Sequence, residues 1–150
     1  MLRGIVGHKG KSKMPTIIDN GDFGYASSGF VGWSGQGYNN DLEYANKYPD
    51  DPIAESSWVF PVNSGQSYTV SVTYTEHENR ATNAPFRIED GINILWSGAV
   101  NQQQAPSDFT ESGVGWKNLS TVTPGSDFLI TLLQNDVANG YVIADAVRIA

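Results

Sequence analysis

Asp145 is the side chain whose position most constrains its chemistry. It stands inside Gly140-Tyr141-Val142-Ile143-Ala144-Asp145-Ala146-Val147-Arg148-Ile149, a β-rich and otherwise apolar run. A carboxylate drawn out of water must be paired, hydrogen-bonded or bound to a metal. Arg80 and Arg148 are the candidates for an ion pair, although residues three apart on a strand point to opposite faces, which weakens Arg148. A second acidic group, Asp19-Asn20-Gly21-Asp22, gathers three oxygen-bearing side chains beside a glycine. Such oxygens suit a hard cation such as calcium. The segment departs from a full EF-hand loop, whose twelfth position, counted from Asp19, is Phe30 rather than a glutamate. An ordinary turn is the competing reading.

A different chemistry is open to Trp33 and Tyr38. They flank Ser34-Gly35-Gln36-Gly37 and precede Asn39, Asn40 and Asp41. Sugars present apolar C–H faces that stack on aromatic rings, while amides satisfy their hydroxyls. Trp33, Tyr38, Asn39 and Asn40 are therefore candidates for a glycan-contact surface. Packing at strand ends is the alternative, and Trp58 and Trp116 are expected in the core.

Catalysis has less to stand on. The only histidines are His8 and His77, and there is no cysteine, so a nucleophile–base arrangement would have to be built on His77. A solvated loop at a strand end is the better account of His77, with a base oriented by Glu76 or Glu78 as the alternative. Asp50-Asp51 and Glu89-Asp90 adjoin Pro52 and Gly91, as turn residues do. Paired-carboxylate glycoside chemistry is thus poorly supported, and no catalytic residue is assigned.

The elements that must position these groups are strands. Ser67 to Thr75 alternates strictly, with Tyr68, Val70, Val72 and Tyr74 on one face and hydroxyls on the other. Trp58, Phe60 and Val62 alternate likewise. The turn signal Asn63-Ser64-Gly65-Gln66 between the two runs predicts a hairpin with one wet face. Further strands are expected near Thr16–Asp19, Gly29–Trp33, Glu43–Asn46, Phe86–Asp90, Ile92–Val100, Gly115–Ser120, Phe128–Leu133 and Tyr141–Ile149. Short strands between Gly, Pro, Asn and Asp turns imply an all-β sandwich in one domain. Its longest irregular segments, Ser34–Leu42 and Gln103–Gly113, are where ligand contacts are expected.

Charge is unevenly distributed over the 150 residues. Arg3, Lys9, Lys11 and Lys13 lie in an acid-free start, leaving 16 acidic and five basic side chains for the remainder. Residues 1–15 read as a basic flexible leader or an appended segment, with an apolar stretch too short for a signal peptide or membrane span. The acidic body repels phosphate backbones, which argues against nucleic-acid partners. Without cysteine there is neither a disulfide framework nor a thiolate metal site.

Ile17-Ile18-Asp19-Asn20-Gly21-Asp22, Gly35-Gln36-Gly37-Tyr38, Arg80-Ala81-Thr82-Asn83-Ala84-Pro85-Phe86, Val100-Asn101-Gln102-Gln103 and the terminal run, in this order and spacing, resemble the golvesin C-terminal-like domain, also described as a xanthan-lyase-type carbohydrate-binding-like domain. The resemblance spans about residues 17–149. It implies a jelly-roll sandwich serving as a non-catalytic accessory module of a secreted or cell-surface bacterial protein, linked to further domains and binding extracellular polysaccharide weakly. A structural or protein-interaction spacer is the alternative, and an autonomous polysaccharide-active enzyme a remote one. Carbohydrate-binding jelly rolls often hold a structural calcium between adjacent first and last strands, and by that looser likeness Asp19 or Asp22 meets Asp145.

Overall fold

A computed structural model describes residues 14–150. Its strands are β1 (Thr16–Ile18), β2 (Tyr25–Ser28), β3 (Val31–Ser34), β4 (Asp41–Ala45), β5 (Glu55–Pro61), β6 (Tyr68–Val72), β7 (Ala84–Glu89), β8 (Ile94–Val100), β9 (Phe109–Glu111), β10 (Val114–Val122), β11 (Phe128–Gln134), β12 (Val142–Ala144) and β13 (Val147–Ile149). One 3-10 turn, Tyr38–Asn40, precedes β4.

Two five-stranded sheets, ordered β1-β13-β6-β10-β9 and β2-β5-β11-β7-β8, enclose the core, and a three-stranded sheet β12-β4-β3 stands beside them. All the pairings between strands are antiparallel. The alternation that defines each strand is visible in its burial. Trp58 and Phe60 of β5, Phe86 and Ile88 of β7, and Leu129 and Leu133 of β11 turn inward to meet Val70 and Val72 of β6 and Val147 and Ile149 of β13. Fully burying each such side chain contributes about 1.5–3 kcal/mol. The fold is one all-β sandwich of the jelly-roll kind, with its first strand paired to its last.

Three expectations are corrected. β5 and β6 do not form a hairpin: β5 pairs with β2 and β11, whereas β6 pairs with β13 and β10. The Asn63–Gln66 turn carries the chain from one sheet to the other, a choice that local turn chemistry does not encode. The hydroxyl face of β6 is not uniformly wet. Ser71 and Thr73 are buried and donate to Asn118 Oδ1 at 2.7 Å and to the Gly115 carbonyl at 2.8 Å.

The terminal run is two strands rather than one. β12 follows the β4 ladder and β13 the β1 and β6 ladders, so Asp145 and Ala146 between them belong to neither. The Asp145 carbonyl freed by that break accepts the indole N–H of buried Trp58 at 3.1 Å, while that of Ala146 accepts the Thr73 N–H. The core tryptophan therefore fixes the backbone from which the buried carboxylate projects.

Candidate functional site

Antiparallel pairing of β1 with β13 matches Ile18 to Val147, which brings Asp19, one residue beyond β1, to Asp145, two residues before Val147. Both are almost fully buried, with exposures of 3% and 2%. A third carboxylate, Asp41 at the start of β4, completes a cluster in which one oxygen from each lies within 4.8 Å of the others. Neither expected ion pair is made. Arg148 is held by Glu111 at 2.8 Å, and Arg80 bonds to Thr75 and Asn79.

Asp22 does not join the cluster. It is exposed, and its Oδ2 accepts the Asp19 backbone N–H at 2.9 Å, which closes the turn after β1. Asp41 takes the third place, brought there by β4 from a distant part of the chain.

The glycine-rich segment wraps this cluster. Tyr38 donates its backbone N–H to Asp145 Oδ2 at 2.9 Å, and Asn39 Nδ2 donates to Asp19 Oδ2 at 3.3 Å. Gly37 has φ +90°, and a Cβ there would stand 2.6 Å from both Asp145 Oδ2 and the Asp41 carbonyl. Only glycine lets the backbone approach so closely in that conformation. Buried Asn20 turns its amide toward Asp19 Oδ1 and Asp145 Oδ1, and with its nitrogen facing them it donates at 2.9 and 3.2 Å. A half-turn of the amide would present its oxygen instead.

Three carboxylates that no basic side chain of the described residues pairs, two of them almost fully buried, strongly favour proton or cation binding. Burial pushes Asp145 up to about 9 despite the Tyr38 N–H, with Asp19 and Asp41 adding to the rise. Burial also raises Asp19 to about 6. Oxygens bound to one calcium at about 2.3–2.6 Å lie at most about 5 Å apart, and the cluster meets that limit.

The aromatic residues divide between two places. Trp33 is half exposed and lies against Tyr44 with ring centroids 6.3 Å apart. Tyr38, Asn39 and Asn40 are not beside it: the Tyr38 ring packs edge-on against buried Trp116 at 6.0 Å, Asn39 braces Asp19, and the Asn40 carbonyl accepts the Gly35 N–H. Tyr38 and Asn39 support the acidic cluster and Asn40 closes the segment on Gly35, because the positive φ of Gly35, Gly37, Asn39 and Asn40 folds the chain back after Trp33.

What surrounds Trp33 instead is a cleft of about 340 Å³. Its floor is one face of the three-stranded sheet. Cross-strand pairs Trp33–Leu42 and Tyr44–Ile143 share that face, and Tyr141, two residues before Ile143, extends it, its ring 5.9 Å from that of Tyr44. Gln36, His77, Asn79 and Arg80 complete the lining. The loop that carries the last three is tied down. Tyr141 donates its backbone N–H to the Asn79 carbonyl and accepts that of Ala81, and Gln103 Nε2 donates to the Glu78 and Arg80 carbonyls, each at 2.9 Å. Its neighbour Gln102 is fully buried and bonds the Ile143 backbone in both directions, at 2.8 and 3.1 Å. Tyr44, Tyr141 and Arg80 were missed at the sequence level. The alternation of Tyr44 with Leu42 and of Tyr141 with Ile143 is legible in the sequence, but the adjacency of β3, β4 and β12 and the return of the Arg80 loop over them are not.

Comparison with known proteins agrees with this architecture. A xanthan lyase from Paenibacillus matches with TM-score 0.73 and 29% identity over 91% of this chain, which spans 13% of the lyase. The C-terminal CBM6 of LamC, a marine laminarinase from Zobellia galactanivorans, matches with TM-score 0.56 and 14% identity, covering 91% of this chain and 99% of the module. A family 35 carbohydrate binding module from Clostridium thermocellum matches with TM-score 0.59 and 15% identity, covering 91% and 98%. No curated protein matches the chain. The golvesin C-terminal domain family matches residues 16–150, the span that holds both the acidic cluster and the aromatic cleft, and the chain belongs to that family.

Proposed function

We propose that this domain is a non-catalytic accessory module that holds glycan in the cleft of Trp33, Tyr44 and Tyr141, with calcium at Asp19, Asp41 and Asp145 as a structural ion. The observation that carries the reading is the cleft itself: three aromatic rings bordered by amide, imidazole and guanidinium donors. Rings of this kind stack on sugar C–H faces while the donors meet hydroxyls. Carbohydrate-binding modules share the fold, which supports the reading. So does the likeness of the chain to a small part of a xanthan lyase.

The parent protein, on this reading, is secreted or displayed on a bacterial surface, where polysaccharide is met. No helix of the described residues is long and apolar enough to cross a membrane. A single open site binds with Kd of about a micromolar to a millimolar, so retention on a polymer depends on linked modules.

Affinity electrophoresis in polysaccharide gels tests this. Trp33→Ala and Tyr44→Ala should abolish retardation while the proteins stay folded. Retardation that survives both substitutions, or no retardation by any of a broad set of neutral and acidic polysaccharides, would remove the glycan reading. Exposed Ile94 and Phe128 with half-buried Ile130 on the outer face of the β2-β5-β11-β7-β8 sheet would then favour the spacer or protein-contact alternative.

A further inference from the structure

Resting on the glycan reading of the cleft, we infer that its ligand carries a carboxylate, as a uronic acid does, and that Arg80 is the residue that selects it. The argument begins with the distribution of cations. The described residues contain three arginines in an acid-rich domain. Arg87 is paired with Glu89 at 2.9 Å and Arg148 with Glu111 at 2.8 Å. Arg80 makes no ion pair with any described residue, although it is half-buried and lines the cleft.

The hydrogen bonds of Arg80 hold it in place without neutralising it. Nε donates to the Thr75 carbonyl at 3.1 Å and Nη1 to Asn79 Oδ1 at 2.7 Å. A guanidinium has five N–H groups in a rigid planar fork, so three remain, on Nη1 and Nη2. Burial lowers its pKa, partly offset by Glu76, which is the mark of a cation held partly out of water. Glu76 itself lines a different cavity, with Thr75 and Pro106, and no carboxylate lines the aromatic cleft.

His77 adds a second donor. Its Nδ1 accepts the Asn79 backbone N–H at 3.2 Å, which leaves the proton on Nε2 in the neutral ring. A planar carboxylate can take a two-point contact from a guanidinium fork, while the sugar ring that bears it lies on the tyrosine and tryptophan faces. The overall acidity of the domain disfavours densely charged polyanions. An isolated carboxylate on a stacked pyranose escapes that penalty, because its recognition is local.

The test compares polysaccharides whose uronates are spaced by neutral sugars (glucuronoxylan, gellan and hyaluronan) with the same polymers after chemical reduction of their carboxylates to primary alcohols. Ring configuration and linkage are then unchanged, and the test needs no variant. At least one native polymer should bind, and its reduced form should bind about tenfold or more weakly, in keeping with the strength of charge-assisted hydrogen bonds. Arg80→Gln should lower affinity for the native polymer to that of the reduced one and leave the reduced one unaffected. Arg80→Lys, with charge but no fork, should fall between the two.

Neutral glycan binding that depends on Trp33 and shows no preference for carboxylate would overturn this inference and leave the glycan reading standing. Equal losses on native and reduced polymer in folded Arg80→Gln would also overturn it, since they assign Arg80 a positioning role only. Absence of binding to any polysaccharide would overturn both.

Discussion

Asp145 illustrates how one side chain can couple folding to its solution conditions. Its folded pKa, near 9, and that of Asp19, near 6, lie above the ordinary 3.8. Between about pH 4 and pH 9 the folded domain therefore keeps protons that the unfolded chain has released. Stability from this pair is full below pH 4 and is lost as pH rises through that window. A bound cation takes the place of the protons. In chelator, the melting temperature should thus carry a falling contribution from pH 5 to pH 8. Calcium should restore it at pH 8, by about 2.7 kcal/mol at a hundred times its Kd, and do little at pH 4.5. Asp145→Asn should flatten the pH dependence and remove the calcium response, since an amide keeps the Tyr38 contact but brings no charge. Calorimetric scans with and without calcium measure this directly. A melting temperature indifferent to both pH and calcium would show that the cluster holds no ion.

At the scale of elements, two connections do what strands cannot. The Gly35–Asn40 segment leaves the edge strand β3, bends around the acidic cluster and enters β4, and it needs glycine at 37 both for φ and for space. Gly37→Ala is expected to cost about 1–3 kcal/mol and to weaken calcium stabilisation, seen as a lower melting temperature with a smaller calcium shift. The 77–81 loop is a rigid rim because Gln103 clamps two of its carbonyls. Gln103→Ala removes two hydrogen bonds at an exposed position. Net losses of about 1 kcal/mol per bond should appear mainly as several-fold weaker glycan binding, with the melting temperature changed by only a few degrees. A melting temperature that collapses would make Gln103 a folding residue instead of a brace for the cleft.

For the whole molecule, β1 starts at Thr16 and closes the sandwich against β13, and the family match begins at the same residue. We propose residues 16–150 as the domain proper. The basic leader expected over residues 1–15 lies largely outside the described residues. Removing residues 1–13 should alter stability by less than about 1 kcal/mol, a shift of a few degrees at most. A larger loss in a thermal melt would show that the removed residues contribute to the fold. The two candidate sites share the β12-β4-β3 sheet and the start of β4: Asp41 faces the acidic cluster, and Leu42 and Tyr44 floor the cleft. Calcium loss should therefore weaken glycan retention as well as lower stability.

The sequence by itself determined the class of fold and which positions are core. Period-two alternation records which face of a strand is buried, and Trp58, Phe60, Tyr68, Val70, Val72 and Tyr74 are all buried as it requires. It also marked Asp145 as a buried carboxylate, because an apolar strand run has no other use for one, and Asp19 as its acidic partner through family likeness. The order of strands was beyond it. Whether Asn63–Gln66 closes a hairpin or crosses between sheets depends on which distant strand pairs better, and that is decided by long-range packing. For the same reason Asp41 displaced Asp22, and Tyr44, Tyr141 and Arg80 gathered around Trp33 where Tyr38 and the two asparagines had been expected. Cross-strand neighbours far apart in the chain make both sites, and only the tertiary structure brings them together.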